Sequence, residues 1–154
     1  MKISILISSY NKGKYIKECI ESCLAQRDKN IEIILFDNYS NDETDEILKK
    51  FSDEIKIFKS KKISNFPALN QIDLLQKAFE ISNGEIICLL DADDYFQKDK
   101  IKKVRDFFEN NNSIDVLFDL PKIKKDEFSY IFKMKKKFIS NLWKTTIPTS
   151  SISM

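Results

Sequence analysis

Ile86-Ile87-Cys88-Leu89-Leu90 is the most apolar run in the chain, and it ends in Asp91-Ala92-Asp93-Asp94. Five consecutive apolar residues without polar alternation predict a strand buried on both faces, the central strand of a sheet covered by helices. Before it, Pro67 opens a predicted helix carrying Ile72, Leu75, Ala78, Phe79 and Ile81, and Asn83-Gly84 offers residues that tolerate the left-handed turn of a helix end. After it, Ile101, Val104, Phe107 and Phe108 mark the inner face of a further helix, ended by Asn110-Asn111-Asn112.

The same alternation runs through the N-terminal part. Residues 3–8 and 31–36 are short runs rich in β-branched residues, the second nearly continuous in apolar character. Between them Ile16, Cys19, Ile20, Cys23 and Leu24 recur at the spacing of one buried helical face. Ser40 and Glu43 have the S-x-x-E spacing of a capping box, which predicts a helix with Ile47, Leu48 and Phe51 inward. Residues 55–58 alternate and read as a more exposed strand, and residues 114–118 as the last one. Strands alternating with helices predict an α/β fold, a mostly parallel central sheet with helices on both faces.

Composition narrows the chemistry. The chain has 154 residues, the length of one domain, with 42% hydrophobic and 32% charged residues. Its net charge of +2 provides no overall field for nucleic acid, and no nucleic-acid partner is expected. It contains no histidine, which excludes imidazole metal sites and Ser-His or Cys-His nucleophiles, so any metal must be held by oxygen. Cys19, Cys23 and Cys88 form no paired framework and read as small buried hydrophobes of a reducing, cytoplasmic protein. No apolar run has the roughly 20 residues needed to span a bilayer.

In an open parallel sheet, ligands bind beyond the carboxyl ends of the strands, where strand order reverses. Three predicted strands end in useful side chains: Ser9-Tyr10-Asn11, Asp37-Asn38-Tyr39-Ser40, and Asp91-Ala92-Asp93-Asp94. Three carboxylates within four residues repel one another unless a cation or hydrogen bonds compensate. Mg²⁺ or Mn²⁺ relieves that repulsion, taking one or two carboxylates and completing its shell with water and phosphate oxygens. On an extended chain Asp91 and Asp93 face the same side, one toward the metal and one toward a ribose hydroxyl or metal-bound water. Turn chemistry is the alternative, with Asp93 or Asp94 capping a helix from about Lys98. Asp37 is placed to accept from a pyrimidine base or ribose, and Tyr10 to stack on or hydrogen-bond the base. An ordinary surface aromatic is the plainer reading of Tyr10.

Taken together, residues 3–11 (ISILISSYN), 32–44 (EIILFDNYSNDET), 82–90 (SNGEIICLL) and 91–94 (DADD) resemble, in order and spacing, the successive signatures of GT-A-fold family 2 glycosyltransferases. The resemblance implies a Rossmann-like nucleotide-diphospho-sugar-binding domain over residues 1–120. It implies transfer of a sugar from a nucleoside diphosphate donor, commonly UDP-linked, to a hydroxyl acceptor in bacterial-type glycan or polysaccharide synthesis, usually with inversion. By position it assigns Ser9 and Tyr10 to the base, Asp37 and Asn38 to uracil and ribose, and Asp91, Ala92 and Asp93 to the donor. Asp93, with Asp91, would hold the Mn²⁺ or Mg²⁺.

Two positions depart from the family pattern. Asn38 stands where a second acid is usual, and the helix after Pro67 lacks an Arg that some relatives carry; Asn70 and Gln76 fall near that place. The general base of an inverting reaction matches none of the remaining acids, Asp115, Asp119, Asp126 or Glu127. Residues 121–154 resemble the start of the acceptor-side region, left incomplete. The expectation is therefore a C-terminally shortened form that binds donor, with a non-catalytic nucleotide-sugar-binding module as the alternative to an enzyme. The lysine-rich residues 122–137 read as a solvated sheet edge, or as a peripheral contact with anionic lipid if the acceptor is lipid-linked. A dinucleotide-binding turn is excluded, because Gly13 and Gly84 are the only glycines. A phosphoacceptor receiver domain would place its acids after the first strand.

Overall fold

The computed structural model describes residues 1–118 and the two-residue segment 152–153. The elements run β1 (Ile3–Ser9), α1 (Gly13–Leu24), β2 (Ile31–Asp37), α2 (Thr44–Lys49), β3 (Lys56–Lys59), α3 (Pro67–Glu80), β4 (Ile86–Asp91), α4 (Lys100–Asn110), β5 (Leu117–Phe118) and β6 (Ile152–Ser153). They form a sheet of order β3-β2-β1-β4-β6-β5, in which β3, β2, β1 and β4 are mutually parallel. β6 runs antiparallel to both β4 and β5. The α/β class expected from the sequence is the one observed.

β1 lies at the centre of the parallel part, and every one of its residues is buried. The period of two along a strand divides its side chains between two cores. Ile3, Ile5 and Ile7, with Ile33, Leu35, Ile86, Cys88 and Leu90, pack beneath α1, α2 and α4. Leu6, with Ile34, Phe36, Ile87 and Leu89, packs beneath α3 alone. All three cysteines are fully buried in the first core. The adjacent Cys23 and burial together raise the Cys19 pKa far above the usual thiol range, so the thiol stays neutral and the pair serves as packing.

Four local expectations are corrected. Ile72, Phe79 and Ile81 do not face the core: the inward stripe of α3 is Asn70, Leu74 and Ala78, while Ile72 and Phe79 are 60% and 58% exposed. This helix is apolar on two sides, so its periodicity alone offered two choices of buried face. The Ser40–Glu43 capping box does not form, because the Ser40 hydroxyl is engaged by Asp37 and Asn11. Asp42 takes over, accepting from the Thr44 and Gly13 N–H groups at 3.0 Å each. The last strand shrinks from 114–118 to Leu117–Phe118, leaving Ile114 and Val116 exposed. Asn83 and Gly84 do not adopt positive φ. Gly84 instead provides close approach, since a Cβ there would lie 2.5 Å from the Ser4 backbone nitrogen.

The end of the sheet opposite the acidic strand tips is tied by Glu32. Its carboxylate accepts from the Ser4 hydroxyl at 2.6 Å, the Asn83 N–H at 2.6 Å and Lys56 Nζ at 2.9 Å. Burial works to raise its pKa, but the Ser4 hydroxyl, Lys56 and the Asn83 N–H outweigh it and hold the carboxyl down to about 2.

Candidate functional site

Strand register brings the predicted residues together. Ser8 at the end of β1 pairs with Asp91 of β4, and Ser9 pairs with Asp37 of β2. Strand order reverses at β1, with β2 on one side and β4 on the other, so the crevice expected of an open α/β sheet opens here. It is a cleft of about 550 Å³, within the usual range for small-molecule sites. It is lined by Ser8, Ser9, Tyr10, Lys12 and Asn38 from the ends of β1 and β2 and the loops after them, by Lys62, Ser64, Asn70 and Gln71 from the segment after β3, and by Asp91, Ala92 and Asp93 from the end of β4.

The loops after β1 and β2 are stitched into one platform. Asn38 N–H donates to Ser9 O at 2.8 Å, Asn11 N–H to Ser40 Oγ at 2.8 Å, and Asn41 N–H to Asn11 Oδ1 at 2.9 Å. Asn11 and Tyr39 take φ of 51° and 52°, the left-handed region. For Tyr39, a residue with no local reason to favour it, that conformation stores strain beside the cleft. Lys12 stands at the N-cap of α1, and its N–H is held by Thr44 Oγ1 at 2.9 Å. The backbone around the cleft is thus fixed before any ligand arrives.

Each sequence-assigned residue has a definite place. Ser9 lines the cleft and is 2% exposed, and its hydroxyl is buried with no hydrogen-bond partner among the described residues. Tyr10 is partly exposed, and Lys62 Nζ lies 3.7 Å from its ring centroid, so one ring face is covered by a cation. Asn38 is nearly buried; its amide nitrogen donates to Ser60 O at 2.7 Å, leaving the amide oxygen for the cleft. Asp37 is fully buried behind the cleft wall, with Ser40 N–H and Ser40 Oγ donating to its two oxygens at 2.8 and 2.6 Å. Its observed work is to fold the turn that presents Asn38.

Asp91 Oδ1 accepts from Gln71 Nε2 at 2.7 Å, and Asp93 forms an ion pair with Lys12. Ala92 is buried between them. Neither Asp93 nor Asp94 caps a helix: α4 starts at Lys100 after Asp99, and the Asp94 N–H closes a turn on Asp91 O at 2.9 Å. Among the described residues no group of three or more acidic, cysteine or histidine side chains forms a metal cage. Two strand-end carboxylates do fit a hard divalent ion that draws its remaining ligands from phosphate and water.

Sequence reasoning missed Lys12, Lys62 and Gln71, and its attention to Asn70 and Gln76 is revised. Gln76 points to Glu80 on the exposed side of α3. Asn70 spends its amide on the backbone of Ile63 and Ser64, holding a loop that lines the cleft. Lys12 was recoverable, since it directly follows Ser9-Tyr10-Asn11; Lys62 carries no local pattern. The lysine-rich residues 122–137, the residues from Trp143 onward apart from 152–153, and Asp119, Asp126 and Glu127 lie outside the described residues. No helix among the described residues is long and apolar enough to cross a membrane.

A parallel sheet covered on both faces, with its acidic strand tips at the switch point, is the arrangement of a GT-A domain. The chain belongs to glycosyl transferase family 2, whose family model matches residues 4–152. It is 30% identical over 125 residues to an uncharacterised glycosyltransferase of Nostoc, covering 78% of this chain and 37% of that protein. It is 36% identical over 107 residues to the Escherichia coli UDP-Glc:alpha-D-GlcNAc-diphosphoundecaprenol beta-1,3-glucosyltransferase WfaP, covering 70% of this chain and 41% of that one. Among solved structures it is similar to Staphylococcus aureus TarS 1-349 in complex with UDP-GlcNAc, with a TM-score of 0.68 and 26% identity, covering 84% of this chain and 37% of that chain. The chain therefore spans about two fifths of the length of these relatives.

Proposed function

We propose that this chain is the donor-binding part of an inverting, divalent-metal-dependent glycosyltransferase using a UDP-linked sugar. The observation that carries the reading is the convergence, in one cleft, of Asn38, Asp91 and Asp93 with Ser9, whose buried hydroxyl has no partner among the described residues. The names of similar proteins support the donor class, because WfaP is described with UDP-Glc and TarS was solved with UDP-GlcNAc.

In this reading Ser9 and the Asn38 amide oxygen hydrogen-bond the nucleoside, and Tyr10 with Lys62 bounds it. Gln71 orients Asp91, which with Asp93 would hold Mn²⁺ or Mg²⁺. When bound, the ion acts as a Lewis acid that stabilises charge developing on the departing diphosphate. Lys62, which has no carboxylate partner among the described residues, adds positive charge at the cleft rim. The acceptor is a hydroxyl of a glycan or lipid-linked saccharide, and a lipid-linked acceptor places the protein at the cytoplasmic face of a membrane.

A thermal-shift panel of UDP, GDP, CDP and ADP with and without Mn²⁺ tests the donor class. UDP with Mn²⁺ is expected to raise Tm most, since a ligand at 100 times its Kd adds about 2.7 kcal/mol to stability. No shift with any nucleoside diphosphate would contradict the reading.

A further inference from the structure

Lys12 is the one cleft residue whose only charge partner among the described residues is a carboxylate that the proposed function assigns to a metal. Its backbone cannot move freely. The N–H is held by Thr44 Oγ1 at 2.9 Å, and the carbonyl accepts from Tyr15 and Ile16 N–H groups at 2.8 and 2.9 Å as the first turn of α1. The side chain is less confined: Lys12 and Asp93 are 34% and 42% exposed, so the ammonium reaches Asp93 from a fixed root across an open cleft. The ammonium and a divalent ion compete for the same carboxylate. A diphosphate entering the cleft offers the displaced lysine a new anion, and lysine is well suited to phosphate as a mobile point charge.

We propose that Lys12 is an exchangeable counter-cation. It neutralises Asp93 while the cleft is empty, and moves to the donor diphosphate when a divalent ion takes Asp93. This rests on the donor-binding reading above and adds a coupling to it. Metal alone must displace a lysine that has nowhere better to go, whereas metal and diphosphate together satisfy all the charges. The two ligands therefore bind with positive cooperativity, and by linkage each strengthens the other equally.

The test is Mn²⁺ binding to the whole chain, followed by the electron paramagnetic resonance signal of free Mn²⁺, with UDP and uridine affinities measured separately by calorimetry. Without nucleotide, Lys12→Met is expected to bind Mn²⁺ about 2–5-fold tighter, the strength of an exposed ion pair removed. With saturating Mn²⁺, the same variant is expected to bind UDP about tenfold more weakly, the loss of a charge-assisted contact. Uridine, which has no phosphate, should bind equally to both, and Lys12→Arg should keep UDP affinity within about threefold. Opposite movement of the Mn²⁺ and UDP constants supports the exchange. If either constant fails to move, or uridine weakens as much as UDP, the exchange is overturned while the donor site stands. If the unaltered chain binds no UDP with Mn²⁺, the donor reading itself fails and the exchange with it.

Discussion

Ser9 and Asp37 are register partners at the ends of β1 and β2, yet their polar atoms meet opposite fates. The Ser9 hydroxyl is buried without a partner among the described residues, while each oxygen of the fully buried Asp37 accepts a hydrogen bond from Ser40. One hydroxyl makes no hydrogen bond within the described protein, and its neighbour is committed to Ser40. That division yields two opposite expectations from mutation.

Ser9→Ala removes a buried group that gains nothing from the fold. Stability is expected to hold or rise by up to about 1 kcal/mol, since an unsatisfied hydroxyl carries a desolvation cost. UDP affinity is expected to fall about 5–10-fold. Denaturant unfolding beside calorimetry checks both; a stability loss above about 1 kcal/mol would show that the hydroxyl has a structural role.

Ser40→Ala removes the partner of Asp37 and the acceptor of the Asn11 N–H together. It is expected to cost about 1–3 kcal/mol in chemical unfolding, as the buried carboxylate loses its hydroxyl donor and keeps only the backbone N–H of residue 40. Glu43→Ala, the other half of the spacing that resembled a capping box, should change stability by less than about 0.5 kcal/mol because Glu43 is exposed and makes no cap.

The fold was legible wherever one physical demand dominated the sequence. Ile3, Ile5, Leu6, Ile7 and residues 86–90 are apolar because both faces of β1 and β4 are covered, and the strand ends at Ser9 and Asp91 announced the cleft. Legibility failed where two demands met in one element. In α3 a second apolar stripe, Ile72 and Phe79, competed with the Leu74 and Ala78 stripe, and only the sheet decides between them. At Ser40 the local spacing suggested a cap, while a residue from another strand, Asp37, claimed the hydroxyl. Lys62 and Gln71 reach the cleft through the path of the chain after β3, which no local pattern encodes.

Gly84 is expected to tolerate no side chain. In Gly84→Ala the new Cβ meets the Ser4 backbone nitrogen and hydroxyl at 2.5 Å, so the β4 end must shift away from β1. A loss of about 1–3 kcal/mol is expected from overpacking against backbone, read as a lower denaturation midpoint at unchanged m-value. An unchanged midpoint would mean the approach is looser than observed.

Glu32 imposes an acid limit on stability. Its folded pKa of about 2 lies below the 4.5 of an ordinary glutamate, so its contribution is complete above about pH 4.5 and is lost as pH falls through 2. Allowing for solvent screening around Lys56, that contribution is on the order of 1–2 kcal/mol. Glu32→Gln should lower stability at pH 7 and flatten its decline between pH 4.5 and 2; an equally steep decline in the variant would assign the acid sensitivity elsewhere.

The metal-dependent nucleotide site is the centre of the functional reading, and calorimetry with UDP tests it most directly. UDP is expected to bind in the presence of Mn²⁺, to lose that binding when EDTA removes the ion, and to bind Asp93→Ala at least about tenfold more weakly, as expected when a metal–phosphate contact is lost. UDP binding that is equally tight with Mn²⁺, with EDTA and in Asp93→Ala would contradict it.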